Sequence, residues 1–272
     1  MTTRKWLSNS EEVLCTIPAE DKVAVIEVDG GQLNGTKTLG VLWLAQQDVL
    51  TLRFKSIVTD SVFTKRTFLQ KVAKLFDPLG FLAPYVVRAK ILLQKVRASG
   101  TDWDEPLNAE LNEEACQWFG ELSTVAQIYV PRCLRLSDAE ELELTELHMF
   151  GDASADAYGA VAYTRCLYAS GNVSCCFVCA KSKVAPLESF SIPRLELMAA
   201  LLALRLGTSV AKALDIKLFN VTFWSDSMNV LCWIRSCSRT YKPFVANRIG
   251  EIQQLTNPDQ WNFIQRSKIQ LI

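Results

Sequence analysis

The sequence has 272 residues, of which 49% are hydrophobic and 21% charged, and its basic and acidic residues balance at 29 each. This length suits one large domain or two modest ones, and the composition excludes extensive disorder. The longest purely apolar run, residues 197–204, is too short to cross a bilayer. The first residues carry no apolar export signal, so we expect an intracellular protein, cytoplasmic or nuclear, with no membrane partner.

The balanced total hides a strong asymmetry of charge along the chain. Residues 51–100 contain ten Lys/Arg and two Asp/Glu, whereas residues 101–145 contain two Lys/Arg and eleven Asp/Glu. A basic block beside an acidic one indicates a polyanion-binding element with a neighbour that is solvated or masks it. Ordinary patchiness of a solvated surface is the alternative interpretation.

Nine cysteines without an export signal indicate reduced thiols. Cys176 and Cys179 form a CxxC with Cys175 beside them, but no second pair follows and His148 is the only histidine. This spacing matches zinc sites poorly, so we expect the cysteines to pack as small hydrophobic side chains in a strand.

The N-terminal half begins with short strands and continues with helices. Residues 23–29, 37–43 and 49–54 read as strands separated by glycine and asparagine turns. A helix is predicted over residues 64–76, because its apolar residues fall on one face. Helices over residues 84–98 and 108–122 follow, the second one acidic, and residues 131–140 read as a linker. The basic residues off the apolar face of the first helix are expected to be exposed and to bind nucleic acid: Lys65, Arg66, Lys71 and Lys74.

After the linker the pattern becomes rich in strands. We predict strands at residues 147–152, 158–163, 173–181, 219–225 and 260–264. The predicted helices cover residues 191–213, 226–234 and 244–255, the first opened by Ser191 as cap and Pro193 in its first turn. The order β-β-β-α-β-α-α-β predicts an α/β layer with a mixed five-stranded sheet.

Three acidic residues lie in otherwise apolar surroundings of this second half. Asp152 and Asp226 end predicted strands, and Glu196 lies near the start of the long helix. Isolated buried carboxylates are costly, so convergence at one sheet edge would suit a cation, and hard oxygen ligands suit Mg²⁺, with Mn²⁺ as an alternative. Two such ions could activate a water and stabilise the leaving oxygen of a phosphodiester.

Each carboxylate also has a purely structural interpretation when it is taken alone. Asp152 could cap a turn, Asp226 could cap the following helix, and Glu196 could pair with Arg194 or Arg205. Together, their order of strand end, helix and strand end favours a site.

Several ordered motifs resemble the polyprotein of BEL/Pao-type retrotransposons. The similar segments in the second half are FGDASADAYGAVAY, CAKSKVAP, SIPRLELMAALLA, WSDSMNVLCWI and FVANRIGEIQ. Those upstream are RKWLSNSEEVL, TLGVLW and FTKRTFLQKVAKLFDPLGFLAPYVVRAKILLQ. The resemblance extends to about Arg266, and it implies the end of a reverse transcriptase followed by a ribonuclease H-like domain.

The resemblance implies three regions. Residues 1–60 would be the tail of a palm and primer-grip region, residues 61–145 a mainly helical thumb or connection, and residues 146–272 a ribonuclease H-like domain. Asp152, Glu196 and Asp226 match the metal-binding catalytic carboxylates of the family. Ser154 and Ser227 would contact the backbone of an RNA–DNA hybrid or other nucleic acid, with a local capping role equally open. The implied protein partner is an upstream reverse transcriptase domain of the ancestral polyprotein.

Other activities of such polyproteins lack their motifs in this sequence. No Asp-Asp pair for polymerisation and no Asp-Thr-Gly or Asp-Ser-Gly of an aspartic peptidase occurs. An alignment on Trp261 places the family's fourth carboxylate near Ile272, so we expect a truncated domain with weak or absent hydrolysis. Three hypotheses stay open: a Mg²⁺-dependent ribonuclease H, a non-catalytic nucleic-acid-binding remnant, and a structural or interaction module.

Overall fold

The structure is a computed structural model, and it describes residues 6–22, 26–28, 31–33, 35–38, 41–52, 62–125, 128–135, 140–188 and 190–265. The chain divides into two compact units. The first unit comprises Met1–Pro78 and Leu92–Cys133, and the second comprises Leu79–Ile91 and Leu134–Ile272.

The first unit combines short strands with helices. Its first helix is α1 (Glu11–Cys15), and β1 (Ile26–Val28) pairs antiparallel with β2 (Gly31–Leu33). A four-stranded antiparallel sheet follows in the order β3 (Gly35–Thr38), β4 (Val41–Leu44), β5 (Val49–Leu52) and β6 (Tyr129–Pro131). The helices are α2 (Lys65–Val72), α3 (Ala83–Ala98), which enters this unit at Leu92, and α4 (Ala109–Val125).

Aromatic side chains form the core between the helices of the first unit. Phe63 stacks on Phe119 at 5.2 Å between ring centroids, and Phe68 meets Trp118 edge-on at 6.5 Å. Thr64 caps α2 through a reciprocal pair of bonds with Thr67, which fixes where this helix begins. The three helices predicted at residues 64–76, 84–98 and 108–122 are therefore each present, in the predicted order.

Several details of the first unit differ from the sequence prediction. Helix α1 and strands β2 and β6 were not predicted, and residues 23–25 and 29 of the strand predicted at 23–29 lie outside the described residues. Helix α2 ends at Val72 instead of residue 76, because Lys74 and Leu75 bond three residues back and tighten the chain into turns. Phe76 consequently lies 51% exposed. The single strand predicted at residues 37–43 is divided between β3 and β4, and residues 53–54 of the strand predicted at 49–54 lie outside the described residues.

The second unit contains a mixed five-stranded sheet, as the sequence predicted. Its strands are β7 (Leu142–Ala153), β8 (Ala157–Tyr168), β9 (Val173–Val184), β10 (Val221–Ser225) and β11 (Trp261–Phe263). They are ordered β9-β8-β7-β10-β11, with β7, β8 and β9 antiparallel and β10 parallel to both β7 and β11. The helices are α5 (Ile192–Ala213), α6 (Met228–Arg235) and α7 (Pro243–Leu255). The predicted order of elements is confirmed, although β7 to β9 are each longer than predicted.

Helix α5 packs closely against one face of this sheet. A Cβ atom at Gly207 would lie 3.0 Å from Met149 Cγ and 3.2 Å from Phe223 Cε1. A Cβ atom at Gly151 of β7 would lie 3.0 Å from the Ala199 carbonyl oxygen. Glycine at these two positions lets the helix and the sheet approach each other, and the main hydrophobic core forms between them.

The segment Leu79–Ile91 packs within the second unit on the opposite sheet face. The Ala180 amide donates to the Leu79 carbonyl at 2.8 Å, and Phe81 contacts Phe177 at 5.5 Å between centroids. Gly80 has a φ of +75°, and a Cβ atom there would overlap the Ala180 carbonyl. The division of the chain into three regions, which was made from the sequence, stays a prediction. It did not include Leu79–Ile91 in the second unit.

None of the helices in the described ranges combines the length and apolar character needed to cross a membrane.

Candidate functional site

Two of the three predicted carboxylates lie at the same end of neighbouring parallel strands. Strands β7 and β10 are paired as far as Gly151 with Ser225, so Asp152 and Asp226 are the next residues on each side. Neighbouring strands lie about 4.8 Å apart. Both aspartates are half-buried, and alternation places both on the sheet face opposite α5.

The third carboxylate reaches this end of the sheet from α5. Ser227, which directly follows Asp226, donates its hydroxyl to Glu196 Oε2 at 2.6 Å. The close approach of Ala199 to Gly151 brings the first turns of α5 beside the end of β7. The structure therefore brings Asp152, Glu196 and Asp226 to one end of the sheet.

The structure contradicts the purely structural roles considered for Glu196 and Asp226, and it shows a local hydrogen bond for Asp152. Arg205 pairs with Glu251 at 2.7 Å, and Arg194 lies over the Phe244 ring at 5.2 Å, while Glu196 binds Ser227. Ser227 is the N-cap of α6 and accepts from the Val230 amide, so the cap predicted for Asp226 belongs to its neighbour. Asp152 Oδ1 accepts a bond of 2.7 Å from the amide of Ala153, its neighbour in the chain.

The side chains of Asp152, Glu196 and Asp226 are not arranged as a metal-binding group. Among the residues that the structure describes, no three or more His, Cys, Asp or Glu side chains form a group that could hold a metal ion. Bonds to Ser227 and to the Ala153 amide direct oxygens of Glu196 and Asp152 toward the protein. The metal-binding role of the three carboxylates therefore stays a prediction. The loss of the family's fourth carboxylate, whose position Ile272 occupies, also stays a prediction, because Ile272 lies outside the described residues.

Both predicted serines have local roles. Ser154 is exposed and accepts from the Asp156 and Ala157 amides in the turn between β7 and β8. Ser227 is 4% exposed, and Glu196 and the Val230 amide use its hydroxyl. The geometry thus shows the capping role for each serine, and contact with nucleic acid stays a prediction.

The four basic residues predicted to bind nucleic acid belong to the first unit and differ in exposure. Arg66 and Lys74 are exposed, whereas Lys65 and Lys71 are half-buried, so the prediction that all four are exposed is wrong. Lys65 lies 5.0 Å from the centre of the Trp103 ring and Lys71 5.1 Å from that of Phe63. Arg66 makes a bidentate ion pair with Asp104, at 2.6 and 3.0 Å. The acidic block therefore partly masks the basic one.

The sequence analysis missed an aromatic row on the sheet face that carries Asp152 and Asp226. Phe150 stacks on Trp224 at 6.1 Å, and the Trp224 indole donates to Nδ1 of His148 at 3.0 Å. Burial lowers the pKa of His148, against the opposing effect of Glu146. The signal was the alternation of His148, Phe150 and Asp152 along β7, which places them on one face.

A cavity of about 360 Å³ adjoins Asp152 on the same face of the second unit. Its walls are largely apolar and include Phe81, Tyr163 and Phe177, with Ser154 near Asp152. The cavity could not be predicted from local sequence patterns, because it forms between Leu79–Ile91 and strands that are distant in the chain.

The CxxC cysteines lie in β9. Cys176 is buried, but Cys175 is exposed, so the expected packing is wrong for Cys175. Burial raises the pKa of the Cys179 thiol to about 11. At neutral pH this thiol is therefore protonated, and it packs as a small apolar side chain.

The sheet order, with a long helix crossing it and carboxylates at the ends of its two central parallel strands, defines a ribonuclease H-like domain. The family model of the Pao retrotransposon-like RNaseH-like domain matches residues 64–227, more than half of the chain and including all three carboxylates. The chain belongs to this family, which confirms the resemblance seen in the sequence motifs.

Solved structures with detectable similarity include two foamy virus chains and an archaeal enzyme. A foamy virus protease-reverse transcriptase in complex with RNA/DNA hybrid is 10% identical with a TM-score of 0.42, covering 86% of this chain and 29% of that one. The same viral protein with double-stranded DNA is 13% identical with a TM-score of 0.41, covering 88% and 46%. RNase H1 of Halobacterium salinarum is 12% identical with a TM-score of 0.27, covering 44% and 86%. The chain thus spans less than half the length of either foamy virus chain, and no curated protein has significant sequence similarity to it.

Proposed function

We propose that the second unit is a ribonuclease H domain of a retrotransposon polyprotein that hydrolyses the RNA strand of an RNA–DNA hybrid with Mg²⁺. The observation that carries the proposal is the arrival of Asp152, Glu196 and Asp226 at one end of the sheet. The family to which the chain belongs, described as RNaseH-like, supports this choice of reaction class. An intracellular location and an upstream reverse transcriptase domain are part of the same proposal.

The donor chemistry of the site fits Mg²⁺ and, as an alternative, Mn²⁺. All three side chains offer hard carboxylate oxygens, which these ions prefer. Bound there, the ions would supply an activated water and stabilise the leaving oxygen. Burial also fits, because half-buried carboxylates next to one another repel and gain from a shared cation.

The neighbouring residues position the three carboxylates. The Ser227 hydroxyl orients Glu196, and the cap that the same serine provides for α6 fixes the chain directly after Asp226. The Ala153 amide orients Asp152. Gly151 permits the approach of α5 that carries Glu196 to the strand ends.

A non-catalytic nucleic-acid-binding function is the second candidate, and one observation favours it. Glu196 and Asp152 already accept hydrogen bonds from protein donors. In the described part of the chain, no three His, Cys, Asp or Glu side chains are placed to bind one metal ion. Metal binding must therefore compete with these bonds, which predicts a high Mg²⁺ requirement and slow hydrolysis.

Cleavage of matched substrates tests the proposal. An RNA–DNA hybrid, an RNA duplex and a DNA duplex, each labelled on either strand, are incubated with the chain in Mg²⁺, in Mn²⁺ and in EDTA. We expect cleavage of only the RNA strand of the hybrid, metal-dependent and reduced by at least about a hundredfold in Asp152→Asn, since a transition-state contact of ~3 kcal/mol is lost. Asp156→Asn, a change of the same kind at an exposed position in the adjacent turn, is the matched control.

The outcomes separate the two candidate functions. Hybrid binding without cleavage in either metal would favour the non-catalytic function. Cleavage that survives Asp152→Asn would contradict the proposed site.

A further inference from the structure

A second pocket of the same unit lies between β9 and α5, on the sheet face that α5 covers. It has a volume of about 260 Å³, and its polar walls are Tyr158, Lys181, Lys183, Arg205 and Ser209. Arg205 follows Glu196 by nine residues on α5, about 13 Å along a helix, but Met198, which also lines the pocket, follows it by only two. By register the two lysines lie level with the end of β7, two strands or ~10 Å away, on the sheet face opposite to Asp152. The pocket therefore neighbours the carboxylate end of the sheet, but none of the three carboxylates lines it.

Two lysines line this pocket side by side. Lys181 and Lys183 alternate along β9 opposite Ala160 and Tyr158, and both are exposed. Within the described ranges, no acidic side chain forms an ion pair with either lysine. Two like charges on one strand face repel each other, so binding of an anion between them is electrostatically favourable.

Arginines from two helices add to the positive field. Arg205 is fixed by a bidentate pair with Glu251, at 2.7 and 2.8 Å, which offsets part of its charge. Arg248 of α7 stacks over Phe244 at 3.6 Å from the ring centre and acts electrostatically on Tyr158. Three cationic side chains, Lys181, Lys183 and Arg205, thus line the pocket, and Arg248 adds to the positive field at Tyr158.

Tyr158 supplies a neutral hydrogen-bond donor. Its side chain is only 7% exposed, and burial raises the pKa of its hydroxyl while Arg248 and Arg205 act in the opposite direction. The hydroxyl therefore keeps its proton at neutral pH and can donate it to an anion. Ammonium groups, a guanidinium and hydroxyl donors around one cavity form the donor set that phosphate oxygens accept.

We propose that this pocket binds a phosphate group, either of a nucleic-acid backbone or of a free phosphate compound. The volume of about 260 Å³ leaves room for a phosphate group. The site does not depend on hydrolysis at the carboxylates. Its failure and that of the proposed nuclease are therefore distinguishable.

The test compares the double variant Lys181→Gln/Lys183→Gln with Lys212→Gln/Lys217→Gln, which removes two exposed lysines of the same unit. Both variants leave the Arg205–Glu251 pair intact. Inorganic pyrophosphate is titrated in EDTA at constant ionic strength, with binding followed by calorimetry and by the shift in Tm. We expect pyrophosphate to stabilise the wild type and the control, and to bind the pocket variant at least about tenfold more weakly. Without pyrophosphate, the pocket variant should melt no lower than the wild type, because a repulsion has been removed.

The source of the phosphate follows from a second arm with an RNA–DNA hybrid in EDTA. A salt dependence that is shallower by about one to two charges in the pocket variant supports a backbone phosphate. An unchanged salt dependence beside weaker pyrophosphate binding supports a free phosphate compound. Equal pyrophosphate affinity in both variants, or no binding to the wild type, overturns the proposal.

Discussion

The Ser227 hydroxyl donates a hydrogen bond of 2.6 Å to Glu196 Oε2, and the same hydroxyl accepts from the Val230 amide. One buried side chain thus links the start of α6 to the first turns of α5, at the point where β10 ends. Replacement by alanine removes both bonds. Ser227→Ala should lower the free energy of unfolding by about 3 kcal/mol, the sum of a lost cap and a lost bond to a charged group.

A double-mutant cycle with Glu196→Ala, which removes the acceptor, separates the two bonds. We expect Ser227→Ala and Glu196→Ala to be coupled by about 1 kcal/mol in denaturant unfolding, because they share one contact. Strictly additive effects would show that the serine acts only as a cap.

Gly80 should tolerate no side chain. Its φ of +75° costs an L-residue about 1–2 kcal/mol, and the collision of a Cβ atom with the Ala180 carbonyl adds about 1–3 kcal/mol. Gly80→Ala should therefore destabilise the protein by roughly 2–5 kcal/mol in urea or guanidinium unfolding. The matched control is Gly250→Ala within α7, where nothing lies within 4 Å of an added Cβ. The control should be stabilising by about 0.5–1 kcal/mol, and similar effects of both changes would refute the packing of Leu79–Ile91 on β9.

His148 should titrate below the usual range of histidine. Burial lowers its pKa, and protonation at Nδ1 would break the bond from the Trp224 indole. Since His148 is the only histidine, NMR of the imidazole Cε1 proton follows it without assignment. We expect a pKa below 6.5 that rises in Trp224→Phe. An unshifted value in the wild type would contradict the burial of this ring.

The same shift predicts how stability depends on pH. Below its unfolded pKa of about 6.5, the unfolded chain binds a proton that the folded chain excludes. The free energy of unfolding should therefore fall as the pH drops from about 6.5 toward the folded pKa, by at most ~1.4 kcal/mol per pH unit. His148→Gln should flatten the pH dependence within that window.

The masking of the basic block can be tested through Asp104. Because Asp104 holds Arg66 in a bidentate pair, Asp104→Asn should release one cation for nucleic acid. The slope of the logarithm of the hybrid-binding constant against the logarithm of the salt concentration should become steeper by up to about one unit. Glu110→Gln, which removes an exposed acidic charge from α4, is the matched control. Identical salt dependences for the two variants would show that Arg66 does not contact nucleic acid.

Local sequence patterns were sufficient to predict the sheet of the second unit. The strand-rich pattern after residue 146 marked the five strands, and their order with the long helix predicted the fold class. The three carboxylates could be singled out because each interrupts an apolar segment. The prediction that Asp152 and Asp226 converge needed only the rule that the carboxyl ends of parallel strands meet at the same edge of a sheet.

Contacts between distant parts of the chain could not be read from those patterns. The bond from Ser227 to Glu196 spans 31 residues, and the pair of Arg66 with Asp104 spans 38. Likewise, the apolar periodicity of residues 64–76 continued past Val72, where the chain leaves the helix and bonds three residues back. The basic pocket was missed because Lys181 and Arg205 meet only after β9 and α5 have packed.

Binding of Mn²⁺ followed by electron paramagnetic resonance tests most directly whether the three carboxylates act as one centre, because it needs no substrate and no turnover. The measurement compares the wild type with Asp152→Asn, Glu196→Gln, Asp226→Asn and the double aspartate variant, with Asp156→Asn as control. We predict that each single change lowers the affinity for the same bound Mn²⁺ and that the control does not. The double change should reduce the binding free energy by less than the sum of the two single changes, because all of them act on one site. Mn²⁺ affinity that is equal in the wild type and all these variants would contradict a metal centre at the end of β7 and β10.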